Sequence, residues 1–325
     1  MKNDTPYAGS IFKIFGNKLV DYAGTFPPAS LDLKTSFTNY LKYRDTPESW
    51  MLSKFVIPAK RLPELASIIE HEKIILNNPL NFSILGGKEV VLSKFFDGLV
   101  ADIEEILKFK TKYGDNIIAE MYEVLLPLEL FVIPDVNKLV DFFTKVSVSF
   151  FESINKNVSV FYEAAPGKEL EILSKALSYF NMIGNFAGYK IRTGGIEPSS
   201  FPPAEKIARA LSVCSENETP LKCTAGLHHP FRHYNPSVRT RMHGFINVFC
   251  AGVFAYNLDL NEHELTRMLL EEDPYKFKFS DDKISFEEFE IFEEEIAEAR
   301  EKFILSFGSC SFEEPVEDLH KLKYL

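Results

Sequence analysis

Short apolar runs of about six residues alternate with longer amphipathic segments along almost the whole chain. KLVDYAG (18–24) is the first run, and SLDLKTSFTNYLKY after it has helical spacing of its apolar positions. The same order continues with WMLSKFVIPA (50–59), LNFSILGG (80–87), AEMYEVLLP (119–127), VSVFYEA (158–164), YKIRTGG (189–195), LKCTAGL (221–227) and FILSFGSC (303–310), each followed by a helical pattern. Strand then helix, eight times over, predicts a closed parallel (β/α)8 TIM barrel, an α/β fold. The rival, an open doubly wound sheet, usually begins on a glycine-rich phosphate turn, and DYAGTFPPA is not one.

One domain over residues 1–325 accounts for this pattern, with an elaboration at about 258–300 before the last strand. That elaboration reads as two helical patterns, NEHELTRMLLEE and SFEEFEIFEEEIAEAREKF, around DPYKFKFSDDKI, with room for a small hairpin. The acidic run at 287–295 reads as a solvated helix face. GFINVFCAGVFAY (244–256) is the longest apolar stretch; it is short of transmembrane length and reads as a buried helix.

Charge narrows the partners. The 325 residues hold 36 Lys plus Arg against 47 Asp plus Glu, a net charge of −11, which disfavours broad binding to nucleic acid or to an anionic membrane. A local basic pocket for a small anionic metabolite, phosphorylated or carboxylated, stays compatible with it, as does a homo-oligomer. The four cysteines, Cys214, Cys223, Cys250 and Cys310, form no CxxC pair, and MKNDTPYAGSIFKIF has no continuous apolar core of a signal peptide, so a reduced cytoplasmic setting is expected.

The strands carry charges that a barrel interior usually lacks. Asp21, Lys54, Glu123, Glu163, Lys190, Arg192 and Lys222 each stand in a predicted strand, and Lys190 and Arg192, two apart, share a face. A lysine amine attacks a carbonyl to give a Schiff base, an electron sink for the neighbouring carbon–carbon bond. Lys190 and Lys222 on successive strands supply a nucleophile and a cation that depresses its pKa. Glu123 is the first choice for proton transfer, with Asp21 and Glu163 next. The alternative for the same lysines is anion binding or pairing with these carboxylates.

Glycines follow the last three strands: Gly194 and Gly195, Gly226, and Gly308. They would let backbone N–H groups approach an anion, with Ser309 and Ser311 as further donors. His228 and His229 are adjacent, so on a strand they would point to opposite faces; one is a candidate substrate contact or acid/base. HHPFRH with His243 lacks a carboxylate at a metal-site spacing, so no metal is expected. Cys223 alternates with Lys222 and should face the helices as a packed thiol.

In its motifs the chain resembles the deoxyribose-phosphate aldolase family, class I aldolases of barrel fold. That family carries Lys-Thr-Ser-Thr-Gly on strand six, and KIRTGG resembles it; KCTAGL is similar to its Lys-x-Ala-Gly-Gly motif on strand seven. FGSCSF resembles its final Gly-x-Ser-Ser, YEVLLP its strand-four acid, and VDYAGTF its strand-one Asp-His-Thr segment. The resemblance covers short motifs in five of the eight strands. It implies Lys190 as the Schiff-base lysine, Lys222 as its pKa partner, Glu123 as the proton-transfer acid, Asp21 at the site, and no metal or organic cofactor. Arg192 stands where the family has serine, Glu123 where it has aspartate, and LHHP where it has a glycine–arginine ending that helps hold phosphate. The chain also resembles an uncharacterised bacterial protein family sharing RTGG and GLHHP. Two other functions fit the residues: a hydrolase or isomerase using His228 or His229, with or without a metal, and a non-catalytic binding barrel whose charges pair with one another.

Overall fold

A computed structural model describes residues 10–325 apart from 77, 90 and 155–157. The leader-free N-terminus read from the sequence lies largely in residues 1–9, outside the described residues. In chain order the elements are α1 (Ser10–Gly16), β1 (Val20–Tyr22), α2 (Leu33–Tyr43), β2 (Leu52–Pro58), α3 (Leu62–His71), β3 (Leu80–Leu85), α4 (Leu92–Tyr113) and β4 (Ile117–Leu125). Then come α5 (Val136–Ile154), β5 (Ser159–Glu163), α6 (Leu170–Met182), β6 (Ala187–Arg192), α7 (Ala204–Glu216), β7 (Leu221–Thr224) and the short strands β8 (His233–Asn235) and β9 (Thr240–Met242). The chain finishes with α8 (Phe245–Asn257), α9 (Glu262–Leu270), β10 (Phe277–Phe279), β11 (Lys283–Phe286), β12 (Phe289–Phe292), α10 (Glu293–Lys302), β13 (Ile304–Ser309) and α11 (Glu313–Lys321).

β1 to β7 and β13 close into one parallel barrel in the order β1-β13-β7-β6-β5-β4-β3-β2, so the fold is the (β/α)8 barrel that the alternation predicts. All eight predicted strands are present, each within a few residues of its expected place. Helix α8 lies over the apolar stretch 244–256 and is buried along nearly its whole length. Among the described residues no helix is long and apolar enough to cross a membrane.

Period-two alternation divides each strand between two environments. Tyr22, Phe55, Phe82, Tyr122, Tyr162 and Phe307 point outward and are buried against the helices. Their rings meet helical partners: Tyr22 with Tyr43, Phe82 with Phe109, Tyr162 with Phe143 at 4.5 Å, and Phe307 with Phe245 in a stack. On α4 the buried Phe95, Leu99, Ile103, Ile106 and Phe109 form the matching helical stripe. These rings therefore fill the layer between sheet and helices, and the charged part of the lumen is left to other side chains.

The elaboration before the last strand differs from its expected form. α9 is the first expected helix, but the second pattern is split: β10, β11 and β12 make an antiparallel sheet, and the helix begins only at Glu293. In the acidic run, Glu287 takes a left-handed φ of 52° at the β11–β12 turn, and Glu290 pairs with Lys283 across the hairpin at 2.8 Å. The apolar positions Phe286, Phe289 and Ile291 fit a strand as well as a helix, and packing of Phe289 on Phe254 of α8 and of Phe286 on Phe277 selects the strand. Phe279 packs on Phe12 and Phe15 of α1 at 5.2 and 5.1 Å.

Buried Arg300 of α10 fastens α1 to the start of β13. It donates to the carbonyls of Phe15 at 2.7 Å, Asn17 at 3.1 Å and Ile304, and its guanidinium lies 5.0 Å over the Phe249 ring. Deep burial lowers its pKa to about 9.

Beneath the charged part of the lumen, Phe161 fills the space left by Gly188. A Cβ at Gly188 would stand 2.3 Å from the Phe161 ring and 2.5 Å from the Pro220 carbonyl. Gly188→Ala should therefore cost about 1–3 kcal/mol through overpacking. Urea unfolding checks this, and a midpoint equal to that of the native chain would contradict the close contact.

Candidate functional site

Each of the eight barrel strands turns one polar side chain into the charged part of the lumen: Asp21, Lys54, Ser83, Glu123, Glu163, Lys190, Lys222 and Ser306. Arg192 follows on the same face of β6, at its C-terminal end. Strand register sets the layer. Lys190 pairs with Lys222 on β7 and with Glu163 on β5. Contacts across the barrel show that these side chains face inward, since Lys222 on β7 reaches Asp21 on β1 and Glu123 on β4.

The charges alternate in sign along one chain of contacts across the lumen. Lys54 Nζ lies 3.9 Å from Asp21 Oδ1; Asp21 Oδ2 lies 2.6 Å from Lys222 Nζ; Lys222 Nζ lies 2.5 Å from Glu123 Oε1. Glu123 Oε2 continues to Lys190 Nζ at 2.8 Å, Lys190 to Glu163 Oε2 at 2.8 Å, and Glu163 Oε1 to Arg192 Nε at 3.1 Å. Taking two charges out of water costs several kcal/mol per ion unless pairing and hydrogen bonds offset it. Here they do. Ser306 Oγ donates to Asp21 at 2.6 Å, the Lys54 backbone N–H donates to Asp21 at 3.1 Å, and Ser83 Oγ donates to Glu123. Lys222 spends its remaining reach on Met121 Sδ at 3.5 Å.

Electrostatics in this array are collective. Burial pushes the carboxyls of Asp21, Glu123 and Glu163 up, but the facing cations outweigh it and hold all three below the usual carboxylate range. Burial likewise pulls the Lys222 amine down, and Asp21 and Glu123 outweigh that, holding it above the usual lysine range. Lys222 is a fixed ammonium because two carboxylates, not a cation, are its nearest charges.

The loop residues behave differently from a ready anion cradle. Gly194 and Gly226 press their backbones together: a Cβ on Gly226, which has a φ of +79°, would lie 2.6 Å from the Gly194 Cα. A Cβ on Gly195 would meet Ser200, whereas one on Gly308 would meet only Thr224 Oγ1 at 3.4 Å, leaving room in the lumen there. Ser309 Oγ accepts from the Ser311 N–H and Ser311 Oγ from the Glu314 N–H, so both hydroxyls serve the start of α11.

His228 and His229 lie in a loop rather than a strand, so the opposite-face rule does not apply, and both rings turn to α11. His229 Nδ1 is 2.6 Å from Asp318, and His228 Nδ1 is 3.4 Å from Glu314 and 3.9 Å from Cys310 Sγ. Burial pulls the His228 imidazole down, but Cys310 and Glu314 outweigh it and raise its pKa to about 9. Burial lowers His243 to about 4, and its ring bonds the Pro202 carbonyl at 2.7 Å. Among the described residues no group of three or more His, Cys, Asp or Glu side chains could hold a metal ion. Cys223 is fully buried against the helices, and burial raises its thiol to about 12.

Sequence reasoning passed over Ser83 and Ser306. The signal was present: in LNFSILGG and FILSFGSC each serine stands at the inward parity of its strand.

No family model matches the chain, and no curated protein matches it. Among solved structures, a monomeric dihydrodipicolinate synthase variant is similar at 14% identity and a TM-score of 0.37, over 67% of this chain and 64% of that one. The chain thus spans less than two thirds of that neighbour. So slight a likeness adds nothing to the strand pairing, which by itself defines the barrel.

Two outcomes follow from the geometry. Lys222→Met leaves Asp21 and Glu123 buried without their shared cation and should destabilise the protein by about 3–5 kcal/mol in urea unfolding at pH 7; a loss under 1 kcal/mol would mean that the array is not under this constraint. His228, with a folded pKa of about 9 above an unfolded value of about 6.5, adds stability that is complete below pH 6.5. That stability is lost as pH rises through 9. Melting temperatures from pH 6 to 9.5 should therefore fall more steeply for the native chain than for His228→Gln.

Proposed function

We propose that the barrel is a lyase of the class I aldolase type, forming a Schiff base between Lys190 and a small anionic carbonyl compound. The observation that carries this reading is the shared carboxylate: Glu123 touches the ammonium groups of both Lys190 and Lys222, at 2.8 and 2.5 Å. The matching order of the strand motifs supports it further.

In this mechanism Lys190 passes a proton to Glu123 or Glu163, each 2.8 Å away, and its amine adds to the substrate carbonyl. The carbinolamine loses water to give an iminium. A carboxylate takes the proton of the β-hydroxyl, the Cα–Cβ bond breaks, and its electron pair passes into the iminium as an enamine. Protonation of the enamine and addition of water release the second product and return Lys190. Lys222 takes no bond in this sequence. Its fixed positive charge keeps Glu123 ionised between proton transfers and favours the anionic oxygen of the adduct.

A second reading rests on the completeness of the pairing. An array in which every carboxylate is bonded also suits a non-catalytic barrel that binds an anion at its rim.

Borohydride treatment with a panel of short aldehydes and ketones separates the two. A Schiff-base lyase gives a reduced adduct that maps to Lys190 and disappears in Lys190→Met. Glu123→Gln should slow its formation by about 10²–10³. Label confined to surface lysines across the panel would sink the lyase reading.

A further inference from the structure

Arg192 is the half-exposed member of the charged array, and it is left partly unused. Its Nε bonds Glu163 at 3.1 Å, and among the described residues neither Nη group has a hydrogen-bond partner. The side chain is 49% exposed at the C-terminal end of β6, whereas Lys190, two residues earlier on the same face, is buried. A guanidinium edge of this kind grips a planar anion through two parallel N–H bonds.

We propose that Arg192 is the receptor for a substrate carboxylate, and that the barrel takes short oxo-carboxylic acids rather than phosphate esters. The carbonyl half of this statement rests on the Schiff-base reading; the carboxylate half does not.

Charge decides between the two anions. Lys54, Lys190, Lys222 and Arg192 face Asp21, Glu123 and Glu163, so the array carries one formal positive charge in excess. A carboxylate balances it. A phosphate ester carries about −1.5 to −2 near pH 7 and would need a second cation or a set of free backbone donors. Barrels usually provide such donors in the late loops and at a helix N-terminus. In this chain several of them are engaged. The Thr193 N–H bonds the Thr224 carbonyl at 2.9 Å, and the Ser311 and Glu314 N–H groups bond serine hydroxyls. Gly194 and Gly226 face each other, and the first turn of α11 carries Glu313 and Glu314, which repel an anion.

Length follows from the same contacts. Lys190 Nζ and Arg192 Nε sit on the two oxygens of one Glu163 carboxylate, at 2.8 and 3.1 Å. A ligand that joins the Nη edge to Lys190 therefore bridges a few ångströms beyond one carboxylate. About four or five carbons, at about 1.5 Å per bond, cover that distance.

The test has two arms on the full chain and its Arg192→Gln variant, with Arg192→Lys as a second variant that keeps the charge and loses the fork. In the first, pentanoate, which has no carbonyl, is titrated against each protein and the melting temperature is read beside inorganic phosphate at matched ionic strength. The expected result is stabilisation of the native chain by pentanoate, weaker in Arg192→Lys, absent in Arg192→Gln, and none specific to phosphate. Stronger stabilisation by phosphate, or equal pentanoate shifts in all three proteins, overturns the assignment. In the second arm 4-oxopentanoate and its methyl ester are trapped with borohydride on Lys190. The acid should exceed the ester by about tenfold in the native chain, the weight of one charge-assisted pair, and the ratio should fall to about one in Arg192→Gln. A ratio of one in the native chain overturns the inference. A pentanoate shift without any Lys190 adduct supports the Arg192 receptor and defeats the Schiff-base chemistry instead.

Discussion

The lumen depends on one ammonium group held between two carboxylates. Lys222 lies 2.6 Å from Asp21 and 2.5 Å from Glu123, with almost no exposure to solvent. Without it, burial would drive both carboxyls toward their neutral forms. With it, Asp21 and Glu123 stay ionised, and Glu123 keeps one oxygen for Lys190. From there the array extends outward through Glu163 to the half-exposed Arg192. One fixed positive charge in the interior thus sets the ionisation of the groups nearer the mouth.

Such an array is affordable in a folded protein because the apolar stabilisation lies elsewhere. The outward positions of the strands carry tyrosine and phenylalanine, and these meet the aromatic faces of α2, α4, α5 and α8. That jacket buries large rings on both sides of one layer. Phe161 and Gly188 seal the lumen below the charges, and Arg300 ties α1 to the foot of β13. The lumen is therefore free to hold groups that contribute chemistry or recognition at little gain in stability.

Much of this arrangement was legible in the residues. Strand parity placed Lys190 beside Lys222 and Cys223 away from them, because side chains alternate whatever the strand packs against. The same rule marks Ser83 and Ser306. It failed where two periods fit one stretch: in SFEEFEIFEEE the apolar spacing suits a helix or a hairpin, and only the packing of Phe286, Phe289 and Ile291 under neighbouring elements chose β11 and β12. It also misled at His228 and His229, which follow a strand but lie in a loop that turns both rings to α11. The glycines after β6 and β7 are legible as glycines. That Gly194 and Gly226 are needed for contact between two backbones is not, since the partner is another loop.

What the sequence by itself determined is the alternation of short strands with helices, and with it the barrel and the inward residue of each strand. These are local properties of a chain with two periods, 2 and 3.6. Tertiary structure alone decided which charges meet. Lys222 and Asp21 are 201 positions apart in the chain, and Lys222 and Glu123 are 99 apart. Coulomb interactions follow distance in space and not order along the chain. Closure of the barrel therefore set the Lys222 ammonium between two carboxylates, which its place beside Lys190 in the strand pattern did not reveal.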